Sequence, residues 1–272
     1  MSGVRTLNTG APQGCVLSPV LFVLYTNDMK WDSDNVFITK YADDTIICGL
    51  INSDDVSEYK NCVKFVNEWC CMNFLQLNAA KTKELTLDFR RRSTCHYAVT
   101  INDMPVQTCE MYKYLGIFID NKLRFADHVD YVYKKSIKKL YYVRSLVKLK
   151  VDTNIIHMFF NAVIIPSLTY CCIAYYQHLS VDLKTRLDKP GKICGKLTRC
   201  QNAKNELMCI ADLHRREVIL CAKRLIKDSK HPLHKCFELM PSGRRYRMTC
   251  IKTTRYRNSF LPTALRFLND TM

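Results

Sequence analysis

The stretch KYADDTIICG, at residues 40–49, limits the local fold more than any other part of this sequence. The runs VFITKY before the aspartates and TIICG after them are rich in β-branched and aromatic residues, which favour strands. Ala42, Asp43 and Asp44 alone separate the runs, so we predict a tight β-hairpin with both carboxylates at its tip. Two like charges this close are unfavourable unless water or a cation compensates them. The tip is therefore either a solvated turn or a site for a divalent cation that prefers oxygen ligands.

A second motif, APQGCVLSP, occupies residues 11–19. The side-chain amide of Gln13 both donates and accepts hydrogen bonds, and Gly14 allows a bulky ligand to approach the backbone closely. Ser18 followed by Pro19 is typical of a helix start, and the apolar run after them predicts a buried helix. Taken alone, this motif is also compatible with an ordinary turn before a helix.

The rest of the chain changes from mixed to helical patterns. Apolar residues at spacings of three and four predict a helix ending near residue 74, and the segments LNAAKTKELTLDF and YKYLGIFID predict short strands. From about residue 125 a helical stripe returns, and the pattern stays mostly helical to about residue 226. Residues 241–272 are basic and are predicted to be irregular. The change of composition near residues 89–122 is the predicted domain boundary.

The charge is distributed unevenly between the two parts. Residues 1–88 contain 7 Lys and Arg against 11 Asp and Glu, whereas residues 89–272 contain 34 against 14, within a net charge of +16. A strongly basic region is typical of a protein that binds a polyanion, most simply nucleic acid, although a solvated basic surface has the same composition. Lysines cluster on the predicted helix at residues 125–150, among them Lys134, Lys135, Lys138 and Lys139.

Two features bear on compartment and membrane association. The chain has 15 cysteines and no apolar N-terminal leader, which predicts an intracellular protein with reduced thiols. Cys194, Cys200, Cys209 and His214 do not have the spacing of a compact zinc knuckle. Residues 154–181 contain no Asp, Glu, Lys or Arg, but they include several polar residues. We predict a buried helix pair broken at Pro166, and no membrane span.

The ordered blocks PQGCVLSP, YADD, LNAAKTKELTLDF and YKYLGIFID, from about Thr9 to Asp120, resemble the palm of reverse transcriptases of non-LTR (LINE-type) retrotransposons. The basic region that follows, with SGRRYR and RNSF, resembles the thumb and C-terminal segment of the same elements. This resemblance implies an α+β fold: an incomplete palm with a short antiparallel sheet and helices (residues 1–121), a mostly helical thumb-like region (122–240) and a basic irregular tail (241–272).

The resemblance also implies roles for individual residues. Asp43 and Asp44 would bind Mg²⁺ or Mn²⁺, and Lys81 is a candidate for protonating the leaving pyrophosphate, although a solvated loop lysine fits equally well. Leu115 and Gly116 would grip the primer end. The template base and the incoming nucleotide would lie near Gln13, Gly14, Tyr41 and Ala42. The phosphate backbone of an RNA template and DNA primer would follow Lys134, Lys135, Lys138 and Lys139.

One departure from the family pattern affects the predicted activity. Polymerases of this kind carry a third aspartate on a strand before the PQG block, together with fingers that hold template and triphosphate. The residues before Ala11 here are MSGVRTLNTG, none of them acidic. We therefore expect the chain to begin partway through the palm, to lack the fingers and the first catalytic aspartate, and to be inactive by itself.

Two alternatives remain open from the sequence. The chain is also compatible with a non-catalytic remnant that binds RNA or DNA. A minor alternative is a relationship to AlkB-type 2-oxoglutarate dioxygenases, because residues 110–150 resemble an N-terminal module of that name. In addition, His128, Asp130 and His178 have the spacing of an iron-binding triad. Template preference and oligomeric state do not follow from the sequence.

Overall fold

The computed structural model describes residues 14–52, 54–90, 98–198 and 209–271. The chain divides into two compact units, Met1–Cys109 (unit one) and Glu110–Met272 (unit two). The division lies inside the predicted change of composition, and it groups the YKYLGIFID segment with the helices that follow it. The described cysteines are all free thiols.

Unit one combines two helices with short strands. Its elements are α1 (Leu17–Tyr25), β1 (Val36–Tyr41), β2 (Asp44–Gly49), α2 (Ser57–Met72), β3 (Lys83–Glu84), β4 (Thr100–Ile101), β5 (Met104–Pro105) and β6 (Gln107–Thr108). Helix α2 buries the stripe Cys62, Val63, Val66, Trp69 and Cys70, as its sequence period predicted. One face of the β1–β2 hairpin, carrying Ile38 and Ile47, packs against this stripe.

The strands do not form one sheet. Among the described residues, β1–β2 and β4–β5 are separate antiparallel pairs, and β3–β6 is a parallel pair. A further antiparallel pair joins β7 (Met111–Tyr114) to β8 (Ile117–Asp120) in unit two. The prediction of a single short antiparallel sheet is thus corrected to four two-stranded pieces. Strands of two to six residues can pair only locally, so each piece depends on the helix or loop beside it for its stability.

Helix α1 differs from its prediction. Its first residue is Leu17, its N-cap is Val16, and no side chain caps it, so Ser18 lies inside the first turn. None of its residues is buried, and Leu17, Leu21 and Leu24 are 62%, 55% and 65% exposed. The prediction of a buried helix is wrong for this chain. A continuous exposed apolar surface of this kind is typical of an interaction face.

Unit two is mostly helical. It begins with β7 (Met111–Tyr114) and β8 (Ile117–Asp120), and these strands are followed by α3 (Ala126–Lys148), α4 (Thr153–Phe159), α5 (Ile165–Thr169), α6 (Cys172–Tyr175), α7 (Val181–Leu197), α8 (Ile210–Lys227), α9 (Thr254–Arg257) and α10 (Phe260–Asn269). The main core joins α3 to α7 around Leu140, Val143 and Leu187. A second core joins α8 to α10 through Val218, Ala222 and Leu265.

The uncharged segment folds as a bent helix pair, as predicted, but the bend is elsewhere. A π-helical turn, Phe160–Ile164, precedes Pro166, and the helix ends only at Thr169, before Cys171 adopts a left-handed conformation. The wider π turn accommodates the proline without breaking the helix, because it relaxes the hydrogen-bond ladder that proline disrupts. Within the described residues no single helix has the length and apolarity of a membrane span. The helix pair Thr153–Thr169 and Cys172–His178, which is bent by 44°, has the combined length and composition of a membrane span, but length and composition are the only features that it shares with one.

The end of the chain is more ordered than predicted. Residues 241–272 were expected to be irregular, yet they contain α9 and α10. Helix α10 buries Pro262, Thr263, Ala264, Leu265, Phe267 and Leu268. The overall composition of residues 241–272 is basic, and for this reason it did not predict a buried helix. The apolar residues of FLPTALRFL form one face of α10, and this face packs against α8.

Candidate metal and nucleic-acid binding sites

The tip of the β1–β2 hairpin carries the two aspartates. Tyr41 pairs with Asp44 in the antiparallel register, so Ala42 and Asp43 form a two-residue turn. Ala42 has φ +52°, in the left-handed region that is unfavourable for residues with a Cβ atom. All four side chains are exposed. Directly paired residues lie on one face of a hairpin, so Asp44 shares its face with Tyr41.

We expect Ala42→Val to destabilise unit one by about 1–2 kcal/mol, because a β-branched side chain is strongly disfavoured at positive φ. Both tryptophans of the chain, Trp31 and Trp69, lie in unit one, so denaturant unfolding followed by tryptophan fluorescence reports this unit. Thr39→Val, on the exposed face of β1, is the matched control. Equal midpoints for the two variants would contradict a strained turn.

Within the described residues, neither aspartate is neutralised by a basic side chain. In the parts of the chain that the structure describes, Asp43 and Asp44 take part in no ion pair. The donor set fits a hard divalent cation, since carboxylate oxygens are the ligands that Mg²⁺ prefers and one or two of them suffice when phosphates supply the rest. No group of three His, Cys, Asp or Glu side chains capable of holding a metal occurs among the described residues.

A lysine that the sequence did not single out fixes α1 to this hairpin. Lys40, on the inner face of β1, donates from Nζ to the carbonyl oxygens of Thr26 and Met29, the latter at 3.3 Å. These carbonyls follow the end of α1, and burial lowers the pKa of Lys40. This role could have been predicted from the alternation along β1, because Lys40 lies on the same inward face as Val36 and Ile38.

The other residues predicted for unit one lie apart from these contacts. Gly14 is exposed with φ +80°, which glycine adopts without strain, and Gln13 lies outside the described residues. Lys81 is exposed in a turn in which Asn78 accepts a hydrogen bond from its backbone N–H at 3.1 Å. In the described part of unit one, no ion pair joins Lys81 to Asp43 or Asp44.

In unit two, Leu115 and Gly116 form the turn of the β7–β8 hairpin. Both have positive φ, +43° and +90°, as two-residue hairpin turns of type I′ require. The Tyr170 hydroxyl donates to the Leu115 carbonyl at 2.8 Å, and a Cβ at Gly116 would lie 3.4 Å from the Tyr170 ring. The end of α5 therefore holds the tip of this hairpin in place.

Asp120 holds the other end of the same hairpin to α3. Its carboxylate accepts hydrogen bonds from the backbone N–H groups of Lys122, Arg124 and Phe125, at 3.0, 2.8 and 2.7 Å. Phe125, the N-cap of α3, has a left-handed backbone, so these bonds shape the turn that starts the helix. This role of Asp120 was not predicted from the sequence. The sequence feature that could have indicated it is an aspartate five residues before the start of the apolar helical pattern, since Asp side chains often accept hydrogen bonds from nearby backbone N–H groups.

The predicted basic helix is α3, and its exposed side carries both lysines and aromatic rings. Lys134, Lys135 and Lys138 are exposed, together with Tyr141 and Tyr142, which are 66% and 57% exposed. Helical spacing brings these five residues to one side of α3, which we call the basic α3 face. Exposed rings among lysines suit nucleic acid, because rings stack on bases and ammonium groups contact phosphates.

Lys139 faces inward. Its ammonium group donates to the Val163 carbonyl at 2.8 Å and to the Ser167 hydroxyl at 2.7 Å, and burial lowers its pKa. Lys139 therefore joins α3 to the π-helical turn and α5, and only the other three predicted lysines are fully exposed on the basic α3 face.

The segment that contains these motifs matches a known protein family. Residues 2–119 match the family model described as "Reverse transcriptase (RNA-dependent DNA polymerase)". Residues 2–119 belong to the reverse-transcriptase family. This matched segment contains the YADD hairpin, the Lys81 turn and the Leu115–Gly116 turn. No solved structure matches the chain.

The chain is also similar to proteins from mobile elements of Drosophila. The chain is 27% identical over 214 residues to the "RNA-directed DNA polymerase from mobile element jockey" of Drosophila funebris, covering 73% of this chain and 22% of the relative. It is 24% identical over 214 residues to the "Probable RNA-directed DNA polymerase from transposon X-element" of Drosophila melanogaster, covering 74% and 23%. The chain thus spans about a fifth of the length of these relatives, and it is homologous to a fragment of a retrotransposon polymerase.

The dioxygenase alternative is not supported. His128 is fully buried within α3, with its ring edge against Tyr175 at a centroid distance of 4.7 Å. Asp130 forms an ion pair with Arg186, and His178 packs beside Phe125. The three residues of the predicted triad therefore serve packing and ion pairing, since His128 and Asp130 lie on one helix and His178 lies in a separate turn.

Proposed function

We propose that this chain forms part of an RNA-directed DNA polymerase of a non-LTR retrotransposon, with residues 1–121 as part of the palm and residues 122–240 as a thumb-like region. The observation that carries the proposal is the tight hairpin tip that exposes Asp43 and Asp44, with no ion pair to a basic side chain in the described part of the chain. In such a site, divalent metal ions bound by carboxylates stabilise the charge that develops on transferring phosphates. Asp43 and Asp44 would hold Mg²⁺ or Mn²⁺ there together with nucleotide phosphates.

The chain by itself is proposed to be inactive, because two carboxylates are a partial ligand set for the two-metal chemistry of nucleotide transfer. We expect no templated primer extension by the isolated chain above an Asp43→Ala control, with Mg²⁺ or Mn²⁺ and an RNA template. Gel analysis of a labelled DNA primer is the measurement. Template-dependent extension that disappears in Asp43→Ala would overturn the proposed inactivity, although it would support the assignment of the aspartates.

The alternative proposal, a non-catalytic binding remnant, is favoured by the basic α3 face, which requires no metal to hold nucleic acid. We expect the triple variant Lys134→Ala, Lys135→Ala, Lys138→Ala to bind an RNA–DNA primer-template at least tenfold more weakly at about 100 mM salt. The slope of log affinity against log salt should fall by about 3, close to one for each phosphate contact. Fluorescence anisotropy over a salt series measures both quantities.

A matched control for that variant lies on α7. Lys189, Lys192 and Lys196 are exposed, so Lys189→Ala, Lys192→Ala, Lys196→Ala removes the same charge from another helix of unit two. The α7 variant should keep most of the salt slope. Equal losses for the two triple variants would mean that net charge, and no particular face, determines binding.

The remaining assignments are proposals of the same kind. Leu115 and Gly116, held by Tyr170, would support the primer end. Gln13, Gly14, Tyr41 and Ala42 would lie near the template base and nucleotide, and Lys81 would act on the leaving pyrophosphate.

The exposed apolar surface of α1 fits this proposal, since the relatives are several times longer than this chain. We further propose an intracellular location, where thiols stay reduced.

A further inference from the structure

A short basic hairpin follows α8 and shares no residue with the sites described above. Leu239 and Tyr246 form an antiparallel bridge, and the Met240 N–H donates to the Arg245 carbonyl at 2.8 Å. The Arg247 N–H donates to the Glu238 carbonyl at 2.8 Å, and the Gly243 N–H closes the turn on Met240 at 2.8 Å. We call residues 238–247 the arginine hairpin, because one strand and the adjoining turn have the sequence RRYR.

One asparagine fixes the arginine hairpin to α10. The side chain of Asn269 accepts from the Tyr246 N–H at 2.7 Å and donates to the Tyr246 carbonyl at 3.1 Å. The Tyr246 ring lies edge-on to buried Phe237, with centroids 6.4 Å apart. Two hydrogen bonds to one residue and a ring contact hold this strand rigidly, so ordering it on ligand binding costs little additional entropy.

A cavity of about 510 Å³ opens beside this strand, lined by Met240, Arg245, Tyr246, Arg247, Met248, Asn269 and Asp270. Arg245 and Arg247 are exposed, as are the thioether side chains of Met240 and Met248. The acidic member, Asp270, is paired with Arg215 at 3.4 Å. Arg247 lies 3.7 Å from Glu238, in a pair that is mostly exposed and is therefore weak. The cavity thus combines two guanidinium groups with flexible apolar side chains.

We propose that this cavity binds a single-stranded segment of nucleic acid. Guanidinium groups match phosphate oxygens in geometry and charge, and Arg245 and Arg247 would contact two phosphates along the strand. Met240 and Met248 would cover the apolar face of an unpaired base, a contact that a base within a duplex does not offer. The volume is in the range of sites for small ligands of nucleotide size. The inference rests on the proposed function in taking the polyanion to be nucleic acid.

Anisotropy with the full chain and two labelled probes, a 15-nucleotide single-stranded RNA and an RNA–DNA duplex of equal length, tests this site. The double variant Arg245→Ala, Arg247→Ala should weaken single-strand binding about tenfold and lower its salt slope by about 1.4, or 0.7 for each phosphate. Duplex binding should change less than threefold. Arg244→Ala removes a charge from the same hairpin but does not line the cavity, so its single-strand affinity should stay within twofold.

A second measurement does not depend on substitution. Photocrosslinking of the same RNA carrying 4-thiouridine, followed by peptide mass spectrometry, should map contacts to residues 238–248. A lack of crosslinks to residues 238–248, or equal effects per charge from Arg244→Ala and the double variant, would overturn the inference. If the double variant leaves single-strand binding unchanged while the Lys134, Lys135, Lys138 variant loses duplex affinity, the inference fails and the proposed function stands. If the wild-type chain binds neither probe at low salt, both fail.

Discussion

Lowering the pH from 7 to 5 will destabilise unit two by about 2 kcal/mol for each of two buried histidines. His128 and His214 are fully buried, and neither ring nitrogen of either residue has a hydrogen-bond partner among the described atoms. Burial lowers the pKa of His128 to about 4. Burial, with smaller effects of Lys184 and Arg266, lowers the pKa of His214 to about 4. The expected result is acid unfolding of the helical unit at a pH where most carboxylates remain ionised.

The sign follows from proton binding. Imidazole in the unfolded chain has a pKa near 6.5, so between about 6.5 and 4 the unfolded state binds more protons than the folded state. Above about pH 6.5 both states hold neutral rings, and the free energy of unfolding has its full value. It decreases as the pH falls from about 6.5, and it stops decreasing below about pH 4, where the folded state also binds the protons. Urea unfolding followed by far-UV circular dichroism at several pH values measures this dependence, because most helices lie in unit two.

Leucine variants isolate the histidines from other titrating groups. His128→Leu and His214→Leu keep an apolar side chain of comparable size against Tyr175 and Tyr176. The double variant should lose most of the pH dependence between 7 and 5, and should be at least as stable as the wild type at pH 5. A wild-type stability that is flat over this range, or a double variant with an unchanged slope, would show that the rings are hydrated in the folded protein.

Asp120→Ala should destabilise unit two by about 3 kcal/mol, because it removes a charged acceptor shared by three backbone N–H groups. Those groups shape the turn in which Phe125 adopts its left-handed conformation before α3. The effect is the difference in free energy of unfolding from urea titrations at pH 7.

Asp127→Ala is the control for that substitution. Asp127 is exposed in the first turn of α3, where a carboxylate interacts only with the helix dipole, so we expect a loss below about 1 kcal/mol. Similar losses for the two variants would mean that Asp120 acts through the charge at the helix start, and that its three hydrogen bonds contribute little.

The parts of the fold that were predictable depend on local patterns. Helix α2 and helix α3 followed from their apolar periods, and the β1–β2 hairpin followed from two β-forming runs with a short gap. The order of four motifs predicted the family, and the family match to residues 2–119 confirmed this prediction. The two helices and the hairpin depend only on information in one short, continuous stretch of sequence each.

The features that escaped prediction depend on distant partners. Lys40 and Lys139 look like surface lysines in sequence, yet each donates to carbonyls of another element. The burial of α10 depends on its contact with α8, and the exposure of α1 depends on the absence of a packing partner among the described residues. A periodic pattern shows that a face is apolar, but it does not show what covers that face.

Exchange of residues 2–119 into the Drosophila funebris jockey polymerase, in place of the segment similar to them, tests most directly whether Asp43 and Asp44 are catalytic. The measured quantity is the rate of DNA synthesis on a primed RNA template with Mg²⁺. We predict that the chimera extends the primer and that Asp43→Ala lowers its rate about a thousandfold, which corresponds to a loss of about 4 kcal/mol of transition-state stabilisation. A chimera that extends the primer at the same rate with and without Asp43→Ala would contradict the assignment of this hairpin to the polymerase metal site.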